Sequence, residues 1–174
     1  LIIAIPCAFA LTVIGGNLAK LLFPSISEDA SKYLIFGSLA VVFFSLSTVT
    51  NAVLQGLDRM RKPVIHALVS LIAHLIVLVL LLYVFKAGIY SVIIAYMLFG
   101  LVMSVLNLYS VYKITGYRPN PVRNFAIPCG ASLVMAVICF IVSLIFSRFT
   151  KGSVMNLLIV LVSGVLGVIA YGLI

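Results

Sequence analysis

Charge is what this sequence has least of. Asp, Glu, Lys and Arg make up only 8% of its 174 residues, and just three of them are acidic. Soluble domains are about a quarter charged and about half apolar, whereas this chain is 65% hydrophobic with a mean hydropathy of +1.38. One compact core cannot bury that much apolar surface, so a soluble domain is excluded, and so is disorder. The three acids, Glu28, Asp29 and Asp58, all fall in loops or at helix ends. With no carboxylate inside an apolar run, ion coupling through a buried Asp or Glu has no residue to use. Cysteine is scarce too. Cys7, Cys129 and Cys139 lie within apolar runs, without metal spacing or a disulfide framework, and read as small packing residues. A Ser-His-Asp set, an HExxH helix and a phosphate loop are also missing. The expectation is a protein that is not an enzyme and has no catalytic residue, metal or cofactor.

What is present is a series of long apolar runs. A spanning helix needs about 20 mainly apolar residues, because hydrocarbon ~30 Å thick is crossed at ~1.5 Å per residue. Six runs qualify: Leu1–Phe23, Tyr33–Leu57, Val64–Phe85, Gly88–Tyr112, Phe125–Phe146 and Val154–Ile174, named A to F. Stretches such as LIVLVLLL (Leu75–Leu82) do not alternate as barrel strands would. The expected fold is an all-α polytopic transmembrane bundle over residues 1–174. Leu1 and Ile174 both fall inside apolar runs, so a piece of a longer membrane protein is expected. Pro24 is expected to end A, Ser27 or Ser31 to cap B, Pro63 to occupy the first turn of C, and Gly88 to open D.

The net charge of +8 would suggest nucleic acid in a soluble protein. Here the basic residues punctuate apolar runs, as in loops that face anionic headgroups, so no nucleic-acid partner is expected. Alternate loops carry six basic residues (Arg59, Arg61, Lys62, Lys113, Arg118, Arg123) against five (Lys20, Lys32, Lys86, Arg148, Lys151). The positive-inside rule then puts the B–C and D–E loops in the cytoplasm. Seven of the eight tyrosines lie at or beyond span ends, as an interfacial aromatic belt requires.

Span B is the least lipid-like. Ser47, Asn51 and Gln55 recur every fourth residue and share a face, with Thr48 beside them. Unpaired amides facing lipid cost several kcal/mol, so this face must meet another helix or a wet cavity, and both readings stand. On C, His66 sits near the cytoplasmic edge, where it can meet headgroups. His74 lies near mid-bilayer, either bonded to a neighbouring helix or touching substrate. Small residues on A (Ala4, Ala8, Thr12, Gly16), E (Ala126, Gly130) and F (Ser163, Gly167) suit close helix packing. Arg59, Arg61 and Lys62 are topogenic charge or contacts for an anionic headgroup.

The stretch NAVLQGLDRMRKP (Asn51–Pro63), with its polar helix end, QG, basic turn and helix-opening proline, resembles the MOP exporter superfamily. IAIPCAFALTVIGGNLAKLLFP (Ile3–Pro24), SKYLIFGS (Ser31–Ser38) and GIYSVIIAYMLFGLVMSVLNLY (Gly88–Tyr109) extend the resemblance. It points most closely to the stage V sporulation protein B and MurJ-like lipid II flippase group. Asp58 and Ser91 stand where glycines are common in that family.

The resemblance implies that A to F are like helices 9 to 14 of a fourteen-helix flippase, whose N-terminal half lies outside this chain. It implies alternating-access movement of a polyprenyl-diphosphate-linked saccharide, a peptidoglycan precursor, across the bacterial cytoplasmic membrane. The partners would be that lipid-linked substrate and membrane lipids. Ser47, Thr48, Asn51, Gln55 and His74 would line the substrate cavity, and Arg59, Arg61 and Lys62 would meet the headgroup. A multidrug exporter of the same superfamily and a non-transporting, lipid-binding membrane scaffold are the alternatives.

Overall fold

The computed structural model describes residues 2–22, 28–86, 88–118, 120, 122–147 and 153–172. The expected stop at Pro24, the cap at Ser27, and the basic Arg148 and Lys151 lie outside them. The described residues are helical and contain no strand. In order they form α1 (Ala4–Leu22), α2 (Glu28–Gly37), α3 (Leu39–Gly56), α4 (Arg61–Tyr83), α5 (Ile89–Thr115), a π-helical turn (Val122–Ala126), α6 (Ile127–Ser147) and α7 (Ser153–Gly172). Five helical stretches are long and apolar enough to cross a membrane, and α7 adds the apolar segment Leu157–Ile169. By that measure the chain is a multi-pass membrane protein.

Span B is one apolar stretch, Ser31–Gly56, divided into α2 and α3 by a one-residue turn. The break falls at Ser38, whose hydroxyl donates to Ile35 O at 2.7 Å and whose N–H reaches Leu34 O at 3.1 Å. A hydroxyl competing for the local carbonyl offers the backbone an alternative to continuing the helix. Ser31, a candidate cap, instead lies inside α2.

The turn after α3 is a Schellman motif. Arg59 N–H donates to Leu54 O at 2.9 Å and Asp58 N–H to Gln55 O at 3.0 Å, which satisfies two of the carbonyls a helix end leaves open. The left-handed residue it requires is Asp58, at φ +57°, where the family resemblance leads one to expect glycine. Aspartate is among the few residues that adopt this conformation readily. Pro63 then sits in the first turn of α4, where a missing N–H leaves nothing unsatisfied.

The described residues cluster into two compact units. Unit 1 comprises residues 1–38 and 121–174, and unit 2 comprises residues 39–120. In unit 1, α1 packs on α2, α6 and α7, and α6 packs on α7. Its core is Ile14, Met135 and Cys139, flanked by Phe9, Val13, Val160 and Tyr171. The small residues on F do bring helices close: Ser163 is fully buried, and a Cβ on Gly167 would lie 2.9 Å from Cys139 Sγ. Those on E do not, since Ala126 and Gly130 are exposed. On α1, Ala4 and Ala8 are buried, but Thr12 faces outward and donates to its own helix at Phe9 O, 2.6 Å away.

In unit 2, α5 packs on both α3 and α4. Gly100 lets α3 and α5 approach, because a Cβ there would lie 3.2 Å from Phe43 and Phe44. Next to it, Ser104 Oγ lies 2.6 Å from Phe43 O and 2.7 Å from Gly100 O. The outer face of α4 exposes Leu68, Ile72, Leu75, Ile76 and Val79. Such a face is stable when its solvent is hydrocarbon.

Candidate functional site

Unit 2 gathers its polar side chains where three helices meet. From α3 come Ser47 and Asn51, from α4 His66 and Ser70, and from α5 Asn107 and Ser110. Asn107 is fully buried and is the hub. Its Nδ2 donates to Asn51 Oδ1 at 2.7 Å and lies 3.5 Å from Ser47 O. Its Oδ1 lies 2.7 Å from His66 Nδ1, and His66 Nε2 lies 3.2 Å from Ser110 Oγ.

The chemistry of the groups assigns the protons. With Nδ2 spent on Asn51, Asn107 Oδ1 acts as an acceptor, so His66 carries its proton on Nδ1. In the neutral ring, Nε2 then accepts from the Ser110 hydroxyl. The result is an unbroken chain from Ser110 through His66 and Asn107 to Asn51, running α5–α4–α5–α3. Ser70 bonds its own helix at His66 O, 2.7 Å away, and takes no part in the relay. In hydrocarbon each interhelical bond of this kind contributes on average about 0.6 kcal/mol and at most about 1.7 kcal/mol.

The candidate residues fall unevenly around this junction. Ser47 is 4% exposed and Asn51 half-buried, and both meet Asn107. Gln55, one turn further on, is exposed. Thr48 is exposed and donates to Phe44 O of its own helix at 2.8 Å, so it needs no partner on another helix. His74 lies outside the junction, half-buried, with its ring edge-on to Phe99 at a centroid distance of 6.3 Å. Its Nδ1 is buried with no hydrogen-bond partner among the described residues. Arg59, Arg61 and Lys62 are exposed at the turn and the first residues of α4.

The residue that sequence reasoning left out of the site is His66. Read from the sequence only as able to meet headgroups, it is 9% exposed and built into the network. The signal that locates it is register. α4 and α5 are antiparallel across a short turn, so residues equally far from that turn face one another. His66 is 20 residues before Lys86 and Asn107 is 21 after it.

The polar side chains of α3 form a column that is buried at Ser47, half-buried at Asn51 and exposed at Gln55. In sequence Gln55 is followed by the three exposed basic residues, to which Asp58, also exposed, is the nearest acid. Such an arrangement accepts hydrogen bonds and negative charge at one end of unit 2. No family model matches this chain, and no curated protein matches it.

Proposed function

We propose that this chain is part of a flippase that moves a polyprenyl-diphosphate-linked saccharide, with lipid II as its cargo, across the bacterial cytoplasmic membrane. The observation that carries the reading is the α3 column, which runs from the Asn107 junction through Asn51 to the exposed Gln55 and is followed in sequence by the exposed Arg59, Arg61 and Lys62. A large anionic headgroup needs a polar path and positive charge at its mouth, whereas its lipid tail remains in hydrocarbon. The family resemblance of the Asn51–Pro63 stretch supports the same reading and supplies alternating access as the mechanism. In this reading the cargo and the surrounding lipids are the partners, and the N-terminal half of the parent protein supplies the remainder of the path.

A second reading has its own support. Ser47 is buried, Asn51 is bonded to Asn107, and Thr48 is satisfied within its helix, as in a network that serves only to hold helices together. That would suit a non-transporting membrane scaffold. The test is complementation of a flippase-deficient bacterium with the parent gene. Restored wall synthesis, lost when Arg59, Arg61 and Lys62 are all replaced by Gln, supports the flippase. Restored drug efflux without wall synthesis points to a multidrug exporter, and restoration of neither leaves the scaffold.

A further inference from the structure

The chain folds back on itself where α5 ends. Gly116, at φ +70°, closes the helix with its N–H on Tyr112 O at 2.8 Å, a left-handed cap that glycine adopts without steric cost. Tyr117 N–H takes Thr115 Oγ1 at 3.1 Å, and Arg118 is brought back along the helix it has just left. Its Nη2 donates to the Tyr112 hydroxyl at 2.7 Å, and its guanidinium carbon lies 5.1 Å from the centre of the Tyr112 ring.

Beneath this arginine, α5 presents a groove of about 440 Å³ lined by Val105, Leu108, Tyr109, Tyr112 and Arg118. Val105 and Tyr109 are well exposed on its wall, at 57% and 62%. From Val105 to Tyr112 the groove runs about 10 Å along the helix axis. Its wall is apolar, and its end carries one fixed positive charge. The guanidinium rests on a tyrosine rather than on a carboxylate, and Asp58, the only acidic side chain described in unit 2, forms no ion pair with it. Tyr109, Tyr112 and Tyr117 mark this end as the interfacial zone, and Lys113 adds a second cation there. The groove's lining includes no residue of the α3–α4 turn, and the site does not depend on the flippase reading.

We infer that this groove binds one anionic glycerophospholipid, with its phosphate on Arg118 and an acyl chain laid along Val105, Leu108 and Tyr109. Charge complementarity selects the occupant. An aliphatic chain alone would leave the guanidinium unanswered, and a zwitterionic headgroup would bring a compensating positive charge against it. The stack on Tyr112 holds the fork in place before lipid arrives, so little side-chain freedom is lost on binding.

The test uses the purified parent protein in nanodiscs containing equal phosphatidylglycerol and phosphatidylcholine, with retained lipid read by native mass spectrometry. The wild type should retain phosphatidylglycerol in preference to phosphatidylcholine. Arg118→Gln should reduce that retention about tenfold, as for the loss of one charge-assisted hydrogen bond, while Arg118→Lys keeps most of it. Val105→Trp, at an exposed position, should fill the groove and displace both lipids. Thermal stability in pure phosphatidylcholine discs separates lipid binding from a helix brace. Arg118→Gln should match the wild type there and fall below it only when phosphatidylglycerol is present. Equal phosphatidylglycerol retention by wild type and Arg118→Gln, or an equal loss of stability in both lipids, would overturn the inference.

Discussion

His66 and Asn107 hold one another by a 2.7 Å hydrogen bond between Nδ1 and Oδ1 across the α4–α5 interface. Because Asn107 Nδ2 is committed to Asn51 Oδ1, the imidazole proton belongs on Nδ1 in the neutral ring. Nitrogen NMR of histidine-labelled protein should therefore show His66 as the Nδ1–H tautomer. An Nε2–H spectrum would mean that the Asn107 amide is turned the other way and the chain of donors runs in reverse.

Removing the hub should cost more than removing a branch. Asn107→Ala leaves both Asn51 and His66 without their partner, whereas Asn51→Ala frees only Asn107 Nδ2. The expected losses are about 2–3 kcal/mol and about 1 kcal/mol respectively, since a buried group left unpaired costs about 1–3 kcal/mol. Thermal unfolding in detergent, read as a double-mutant cycle, checks both. Equal effects would mean that the His66 bond adds nothing and that Asn107 is not the hub.

Gly167 and Cys139 form a tight pair in unit 1. A Cβ on residue 167 would sit 2.9 Å from Cys139 Sγ, and that thiol already donates to Ser163 O at 3.2 Å. Gly167→Ala should therefore destabilise unit 1 by about 1–3 kcal/mol through overpacking. Adding Cys139→Ala removes the colliding sulfur and should recover part of the loss. If the double variant is as unstable as the sum of the singles, the close approach lies elsewhere on the interface.

Much of this arrangement was legible in the sequence, for reasons that differ by level. Helix extent follows from the length of apolar runs and from local turn chemistry, and so Pro63 and Gly88 both stand at helix ends. The break at Ser38 was not legible, because a serine inside an apolar run bonds its own backbone without any compositional mark. The same effect undid the argument that Thr48 needs an outside partner, since its hydroxyl turns back to Phe44 O. The polar junction was half legible. The spacing of Ser47 and Asn51 announced a face, but its partner depends on register between helices. His66 pairs with Asn107 while His74 meets Phe99 because each pair is nearly symmetric about the α4–α5 turn. The division at residue 120 falls in the polar loop between D and E, but hydropathy does not say which helices pack together, because a lipid-facing and a helix-facing leucine look alike.

Asp58 should prefer replacement by glycine. It holds the left-handed position of the α3 Schellman turn at φ +57°, where a Cβ is a steric burden. Asp58→Gly is expected to be neutral or slightly stabilising, whereas a β-branched Asp58→Val should cost about 1–2 kcal/mol. Melting temperatures of the two variants check the order. If valine is tolerated as well as glycine, the turn relaxes out of the left-handed conformation and the cap is not required.

The α3 column makes the most direct claim about water. With Cys7, Cys129 and Cys139 replaced in the parent protein, single cysteines at Ser47, Asn51 and Gln55 report their surroundings to a membrane-impermeant thiol reagent. Ser47 is 4% exposed and should stay dark. Asn51 is half-buried and should label slowly, whereas Gln55 is exposed and should label fastest. The necessary control is Val53, which is 40% exposed on the same helix but apolar. Exposure to lipid leaves a thiol protonated and beyond the reagent's reach, whereas exposure to a wet path lets the reactive thiolate form and the reagent reach it. A gradient rising from Ser47 to Gln55, with Val53 dark, is expected if the column is solvated from its basic end. Were Gln55 to react no faster than Val53, the column would be lipid-facing, and the polar path on which the proposed function rests would be absent.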